Sequence, residues 1–336
     1  MTEIKKKRVL SGNRPTGPSH LGHLFGVHSF WVGLQDKYDC FFFIADYHAL
    51  TTAHDKVETI QENIREVTLD MLGAGLTPEK STIFLQSDIP EVSELNLLMS
   101  MIVPMGLLER NPTYKAQLEE LNIQKPNLGL FQYPVLQTTD IVIYKGEFVP
   151  VGKDQLPHVW IAADIAKTFR HRYGDVFPIP EELVGEYPDV PGIDNRKMSK
   201  SYDNTIDVRD DDETTLKKVK QFYTDPTKIR VDDPGHPDEC PVYYFHTMVS
   251  GKEQCEDVHS ECMDGKRGCV QCKKEMCENL NNYLKPVRER RKTFADNPDE
   301  VDRVLYEGGL KAREEAQKTL KGVRKAMGLT EKSRFS

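Results

Sequence analysis

The run Cys40-Phe41-Phe42-Phe43-Ile44-Ala45 constrains the fold more than any other segment. Six apolar residues without alternation do not suit a strand with one wet face. They suit a strand covered by helices on both faces of a parallel sheet. Arg8-Val9-Leu10-Ser11 reads as a short strand, Thr82 to Gln86 as another and Phe148 to Val151 as a fourth. Leu21, Leu24, Phe25, His28, Trp31 and Val32 fall on one helical face. So do Val57, Ile60, Ile64, Val67 and Met71, with Gly75 as the C-cap. Leu156 to Phe169 is again helical. Strand and helix in alternation predict an α/β fold with a doubly wound, Rossmann-type parallel sheet. Its ligands would sit at the carboxyl ends of the strands.

After about residue 205 the strand patterns stop. Residues 213–223, 276–294 and 300–327 read as helices, and the Pro-, Gly- and Cys-rich stretch at about 231–275 reads as a loop. The boundary predicts a catalytic domain over residues 1–204 and an all-helical domain over 205–336. A length of 336 residues agrees with two domains. Apolar residues at 38% and charged residues at 29% exclude a disordered chain.

The net charge of −8 excludes a basic field over the whole protein. The charge is uneven, however. Residues 281–336 hold 14 Lys/Arg against 9 Asp/Glu. That local excess suits either a polyanion or a set of solvated helix faces. The longest strongly apolar stretch, Leu95 to Leu108, is broken by Pro104 and is too short to span a bilayer. The first eight residues have no apolar signal core behind them. The expectation is a cytoplasmic protein.

Two short motifs carry chemistry. Ser19-His20-Leu21-Gly22-His23 closes the Gly/Pro-rich loop after the first strand. Ser19 is placed to cap the helix. His20 and His23 share one face of its first turn, where unpaired N–H groups favour an anion. Gly22 allows close approach to the backbone. Lys197-Met198-Ser199-Lys200-Ser201 is the second motif. Two ammonium groups and two hydroxyls in five residues suit a triphosphate, where they offset charge moving onto a departing pyrophosphate. Either motif alone is also common on surfaces.

Together, in this order, the two motifs resemble the HIGH and KMSKS signatures of the class I aminoacyl-tRNA synthetases. Four further stretches are similar to the tryptophanyl branch of that family: Ser11 to Gly17, Asp46 to Thr52, Tyr133 to Asp140 and Val149 to Gln155. The resemblance implies activation of L-tryptophan by ATP and Mg²⁺, transfer to tRNA(Trp), and a homodimer. Leu97, Leu98, Met101, Ile102 and Met105 would form the dimer patch or else belong to the core. By the same resemblance, ATP would meet Arg14, Thr16, Gly22, His23, Gly152, Asp154, Val190 and the segment Lys197 to Ser201. Catalysis would rest on His20, His23, Lys197 and Lys200. Tryptophan would meet Leu10, His48, Tyr133, Gln137, Asp140, Val149, Val151 and Gln155.

Asp140 would accept the indole N–H, or serve as a helix N-cap, the two roles not being exclusive. Lys153 stands where many relatives carry an acid, so a backbone contact at most is expected of it. The rival readings are a tyrosyl enzyme of the same fold, a non-catalytic RNA-binding iron–sulfur paralogue and a small nucleotidyltransferase.

Six of the seven cysteines lie between residues 240 and 277. Cys240, Cys262, Cys269 and Cys272 are spaced C-x21-C-x6-C-x2-C. Four thiolates in such a pattern suit zinc or an iron–sulfur cluster. A minority of the tryptophanyl branch carry a [4Fe–4S] cluster on a similar pattern, and the resemblance implies the same four ligands here. Cys255 and Cys277 are extra, and Cys40 reads as core.

Overall fold

The computed structural model describes residues 6–55, 57–120, 122–152, 155–185 and 189–329. Five parallel strands, β1 (Arg8–Asn13), β2 (Asp39–Ile44), β3 (Ser81–Leu85), β4 (Phe148–Val151) and β5 (Glu181–Val184), form one sheet. Their order is β3-β2-β1-β4-β5. The chain therefore builds outward from β1 to β3, then crosses back to lay β4 on the other side of β1 through Val9 and Phe148. The point of reversal lies between β1 and β4, where a doubly wound sheet opens a crevice. β5 escaped the sequence reading because it begins Glu181-Glu182, both exposed on an edge strand.

The apolar β2 run is buried on both faces, as expected. Phe41 and Phe43 enter a core with Phe84, Val135, Ile141, Val159 and Ile165. Cys40, Phe42 and Ile44 enter a second core with Trp31, Val67 and Met71, where the Trp31 and Phe42 rings stack at 4.5 Å. Each fully buried phenylalanine contributes about 2–3 kcal/mol.

The helices on these faces are α1 (Leu21–His23), α2 (Ser29–Leu34), α3 (Asp46–Ala53), α4 (Ile60–Ala74), α5 (Glu91–Ser100), α6 (Met105–Glu109), α7 (Pro112–Glu120), α8 (Leu128–Ile143) and α9 (Leu156–Tyr173). Helix α4 ends on Gly75 at φ +113°, the left-handed cap that glycine adopts without cost.

Beyond residue 205 the described elements are all helical: α10 (Asp212–Lys220), α11 (Pro241–Val249), α12 (Lys252–Met263), α13 (Cys269–Ala295) and α14 (Pro298–Ala326). The stretch 231–275 read as a loop; instead it holds α11, α12 and the start of α13. Polar composition hid α12, which buries Val258 alone.

A third core joins Leu21, Leu24 and Phe25 to Val242, Phe245, Leu280 and Leu284. The helix after the first loop is thus packed against the C-terminal helices. Helix α14 returns to the sheet and covers edge strand β3. Its Ala312, Ala316, Leu320 and Val323 enter the first core, and Val301 and Val304 the second. A helix over an edge strand shields it from pairing with another chain.

Candidate active site

A cleft of about 620 Å³ opens at the point of reversal between β1 and β4. One end of it starts where β1 stops. The helical run from Leu21 to Leu34 is interrupted by a π-helical turn at Leu24–His28. That turn brings His28 Nε2 to within 3.0 Å of the Asn13 side-chain amide at the end of β1.

The cap is not Ser19, as the sequence suggested. His20 holds the extended N-cap position, and the buried Ser19 hydroxyl has no hydrogen-bond partner. The Ser19 backbone N–H donates instead to Asp70 Oδ2 at 2.6 Å. His20 and His23 stack with ring centroids 4.0 Å apart. The His20 backbone N–H donates to His23 Nδ1, so the His23 ring carries its proton on Nε2. Burial, helped by Lys200, pulls His20 down to about 3, and burial pulls His23 well below the ordinary histidine range. Both rings are neutral at pH 7, and each has one N–H to give.

The second loop lies directly over this turn. The Gly22 N–H points at Met198 Sδ at 3.3 Å, and Met198 is itself buried and bonded through its N–H to the Val190 carbonyl. A Cβ on Gly22 would stand 2.8 Å from the His20 ring, so the close approach requires glycine. Asn204, 1% exposed, knits the loop. Its Oδ1 accepts from the Ser199 N–H at 2.8 Å, and its Nδ2 donates to the Lys197 carbonyl at 3.1 Å. Lys200 Nζ donates to the Thr16 carbonyl at 3.1 Å, while Lys197 pairs with Asp189 at 3.3 Å.

At the other end of the cleft lies an apolar recess with one buried acceptor. Asp140, 1% exposed, stands in the last turn of α8. It is no N-cap: Asn127 caps this helix, accepting from the Leu130 N–H at 2.8 Å. Asp140 Oδ2 accepts from His48 Nε2 at 2.9 Å and from Gln86 Nε2 at 2.8 Å, and Oδ1 accepts from Gln86 Nε2 at 2.9 Å. Burial lifts its carboxyl above the usual range while His48 and Gln86 oppose the shift. A carboxylate has about four lone-pair sites, so one remains on Oδ1. Nearby, Tyr133 Oη contacts His158 Nε2 at 2.5 Å and accepts from Asn111 Nδ2 at 3.1 Å. His158 Nδ1 contacts Gln155 Oε1 at 2.8 Å. Burial pushes the Tyr133 phenol up to about 12.

All eight residues expected around tryptophan line this cleft: Leu10, His48, Tyr133, Gln137, Asp140, Val149, Val151 and Gln155. So do Arg14, Thr16, His20, Gly22, His23, Gly152, Val190, Lys197, Met198 and Ser199. Lys200 touches the Thr16 carbonyl beside the cleft, and Ser201 lies outside its lining. Asp154 and Lys153 lie outside the described residues. The sequence reading missed Gln86, Asn13, His28 and His158. Gln86 had a usable signal, since it closes a strand on the edge where such sheets bind ligands.

The cysteines form a separate corner. Cys240 is the N-cap of α11, Cys262 lies in the last turn of α12, and Cys269 and Cys272 lie in the first turn of α13. Burial, then Cys240 and its neighbours, pushes the Cys272 thiol up to about 12. Among the described residues no three His, Cys, Asp or Glu side chains stand close enough to hold one metal ion. Cys240, Cys262 and Cys269 each act electrostatically on Cys272, so the four share this corner. Nor, among the described residues, is any helix long and apolar enough to cross a membrane.

This five-stranded parallel sheet, with two loops meeting over its switch point and a helical C-terminal region, is the fold of a class I synthetase. The family model described as tRNA synthetases class I (W and Y) matches residues 2–285. The chain is 44% identical to a tryptophan–tRNA ligase of Thermotoga maritima, over 96% of this chain and 99% of that one. It is 41% identical to the tryptophan–tRNA ligase of Aquifex aeolicus, over 96% and 100%. A crystal structure of tryptophanyl-tRNA synthetase from Campylobacter jejuni, in complex with ADP and tryptophan, superposes with a TM-score of 0.86 at 36% identity. That match covers 96% of this chain and 100% of the other. The chain belongs to the bacterial tryptophanyl-tRNA synthetases of class I.

Proposed function

We propose that the chain activates L-tryptophan with ATP, releasing pyrophosphate, and transfers the tryptophanyl group to tRNA(Trp). One observation carries this reading: a buried carboxylate with one free lone-pair site shares a cleft with two neutral imidazoles and the lysine loop. The tryptophan carboxylate is ionised at pH 7 and attacks the α-phosphorus without a general base. The protein's part is alignment and charge stabilisation.

Asp140 accepts the indole N–H between Leu10, Val149 and Val151. Tyr133 and Gln155, tied through His158, face the amino-acid end. His20 and His23 donate to phosphate oxygens. Lys200 leaves the Thr16 carbonyl and Lys197 leaves Asp189 to follow charge onto the departing pyrophosphate. Asp140 is the one carboxylate among the described lining residues, and its donors leave it little to offer a cation. Mg²⁺ would therefore be held by the nucleotide rather than by this lining, and would supply charge neutralisation there.

Pyrophosphate exchange on anaerobically purified full chain, with each of the twenty amino acids, tests the assignment. The expected result is exchange with tryptophan alone. Exchange with tyrosine, or none from folded protein, overturns it.

Residues 1–204 are proposed as the catalytic domain and 205–336 as the domain that meets the tRNA anticodon arm. The four-cysteine set fits a [4Fe–4S] cluster better than an uncharged core. Partial burial and neighbouring sulfurs push the Cys240, Cys262 and Cys272 thiols up, and a cationic group that held them as thiolates would offset that shift. Cys240, Cys262, Cys269 and Cys272 would be its ligands. The cluster would tie the ends of α11, α12 and α13 together and take no part in activation. Cys269→Ser is expected to lose bound iron and to lower tRNA charging by about tenfold or more. Tryptophan-dependent exchange would stay within about threefold. Equal loss of both steps in a folded variant refutes this division.

A homodimer is proposed through α5 and α6, where Leu97, Met101 and Met105 are exposed. Sedimentation of the full chain reads it directly: a monomer at micromolar concentration rejects the dimer.

A further inference from the structure

Asp70 belongs to none of the binding motifs, yet it is 1% exposed and holds the loop that carries His20. Its Oδ2 accepts from the Ser19 backbone N–H at 2.6 Å, one residue before His20. Its Oδ1 accepts from Arg291 Nε at 2.7 Å, from the far end of α13. Arg291 Nη2 also pairs with Glu66 at 2.6 Å, one turn before Asp70 on α4. The helices touch here through their backbones. A Cβ on Gly73 would lie 2.9 Å from the Arg291 Cβ and 3.1 Å from the Val287 carbonyl oxygen.

The same loop is clamped from the other side. The Val208 N–H donates to the Ser19 carbonyl at 2.9 Å, and the Leu21 N–H donates to the Ile206 carbonyl at 2.9 Å. The backbone on either side of His20 therefore has no slack. Burial lifts the Asp70 carboxyl, and Arg291 and the Ser19 N–H draw it back toward the charged form. A charged, buried carboxylate with two strong donors has one low-energy geometry.

We propose that Asp70, pinned by Arg291, is a positioning residue for adenylate formation that sets the His20–His23 phosphate seat according to where α13 lies. The inference rests on the ligase reading. The consequence is mechanical. Helix α13 runs for 27 residues from Cys269, roughly 40 Å at 1.5 Å per residue. A shift of that rod at Arg291 reaches His20 through two hydrogen bonds. Asp140 is held instead by His48 and Gln86, neither of which belongs to that path.

The test is a double-mutant cycle on the full chain with Asp70→Asn, Arg291→Met and the pair. The readouts are kcat and the tryptophan KM in pyrophosphate exchange, and tryptophan binding by calorimetry. Asp70→Asn is expected to lower kcat by about 10- to 100-fold, the size of effect that an ångström-scale misplacement of a reacting group produces. The tryptophan KM and Kd should stay within about twofold. The pair should lose no more than the worse single variant, since both act through one bond. Arg291→Lys, which keeps a donor for one partner, should recover part of the loss.

Unchanged kcat in folded Asp70→Asn overturns the proposal, as do additive losses in the pair. A matching rise in tryptophan Kd also overturns it, because that marks a general structural defect. If a variant fails to fold, Arg291→Lys with the same kcat and Kd readouts decides. Absence of exchange in the parent protein rejects the ligase reading itself, a failure distinct from these.

Discussion

Replacing Asp140 with Asn is expected to lower kcat/KM for tryptophan in pyrophosphate exchange by about 10²- to 10³-fold, with the ATP KM within about threefold. The size follows from the acceptor count. In the structure His48 and Gln86 fill three of about four lone-pair sites on the carboxylate, and the fourth is the one an indole N–H can use. Asparagine keeps one oxygen and turns the other position into a donor. Whichever way the amide faces, a buried donor meets a donor: the His48 ring, the Gln86 amide or the indole. An unpaired buried polar group costs about 1–3 kcal/mol, and each 1.4 kcal/mol is tenfold. A carboxylate also carries charge, and a hydrogen bond to a charged group is worth about twice a neutral one. Steady-state exchange against tryptophan and against ATP separates the two substrates. A tryptophan KM unchanged in folded Asp140→Asn would remove Asp140 from the indole pocket.

A second large effect concerns the fold. Gly308→Ala is expected to destabilise the protein by about 3 kcal/mol, against the sign of helix propensity. Alanine in a helix interior is favoured over glycine by about 1 kcal/mol. At Gly308, however, a Cβ would stand 1.8 Å from the Ile83 carbonyl oxygen and 2.7 Å from the Ile83 carbonyl carbon. That neighbour is strand backbone, fixed by the β2 ladder through Phe42, so α14 must move away from the sheet. The motion would open the contacts of Ala312, Ala316 and Leu320.

Gly309 is the control on the next residue. Its nearest atom to a Cβ is Asp88 Cβ at 3.8 Å, an ordinary contact. Gly309→Ala should be neutral or stabilising by up to about 1 kcal/mol. Urea unfolding of the two variants beside the parent measures both. If Gly308→Ala is as stable as Gly309→Ala, α14 does not pack on β3 as described.

Much of the fold and site was legible in the residues. The unbroken Cys40–Ala45 run forced a strand covered on both faces, and Gly75 marked a helix end through its missing Cβ. The two motifs proposed to meet phosphate stood out for a related reason. Their chemistry lies in residue types at short spacing, which a single helix turn or loop brings together. The place of Asp140 and the walls around it in the cleft followed from resemblance alone. Nothing in its own segment says that a helix begun at Asn127 would deliver it to the cleft, and the local pattern allowed a helix start there instead.

What escaped the reading depended on residues far apart in the chain. Ser19 has the chemistry of a cap, but the fold hands that position to His20 and gives the Ser19 N–H to Asp70, 51 residues away. Gln86 is an ordinary glutamine until β3 ends beside α8. Helix α12 is polar enough to look like loop, because it buries one residue and leans on its neighbours for the rest.

The sequence by itself determined the parallel sheet, its switch-point cleft and the residue types that line it. These follow from local patterns: burial on both faces of a strand, helix-end dipoles, and ammonium groups in a short loop. The tertiary structure alone decided which donors hold Asp140, how α14 seals β3 through Gly308, and that α13 is tied to His20 through Arg291 and Asp70. Those contacts join segments 50 to more than 200 residues apart. Their strength comes from burial and close packing, which exist only once the chain has closed on itself.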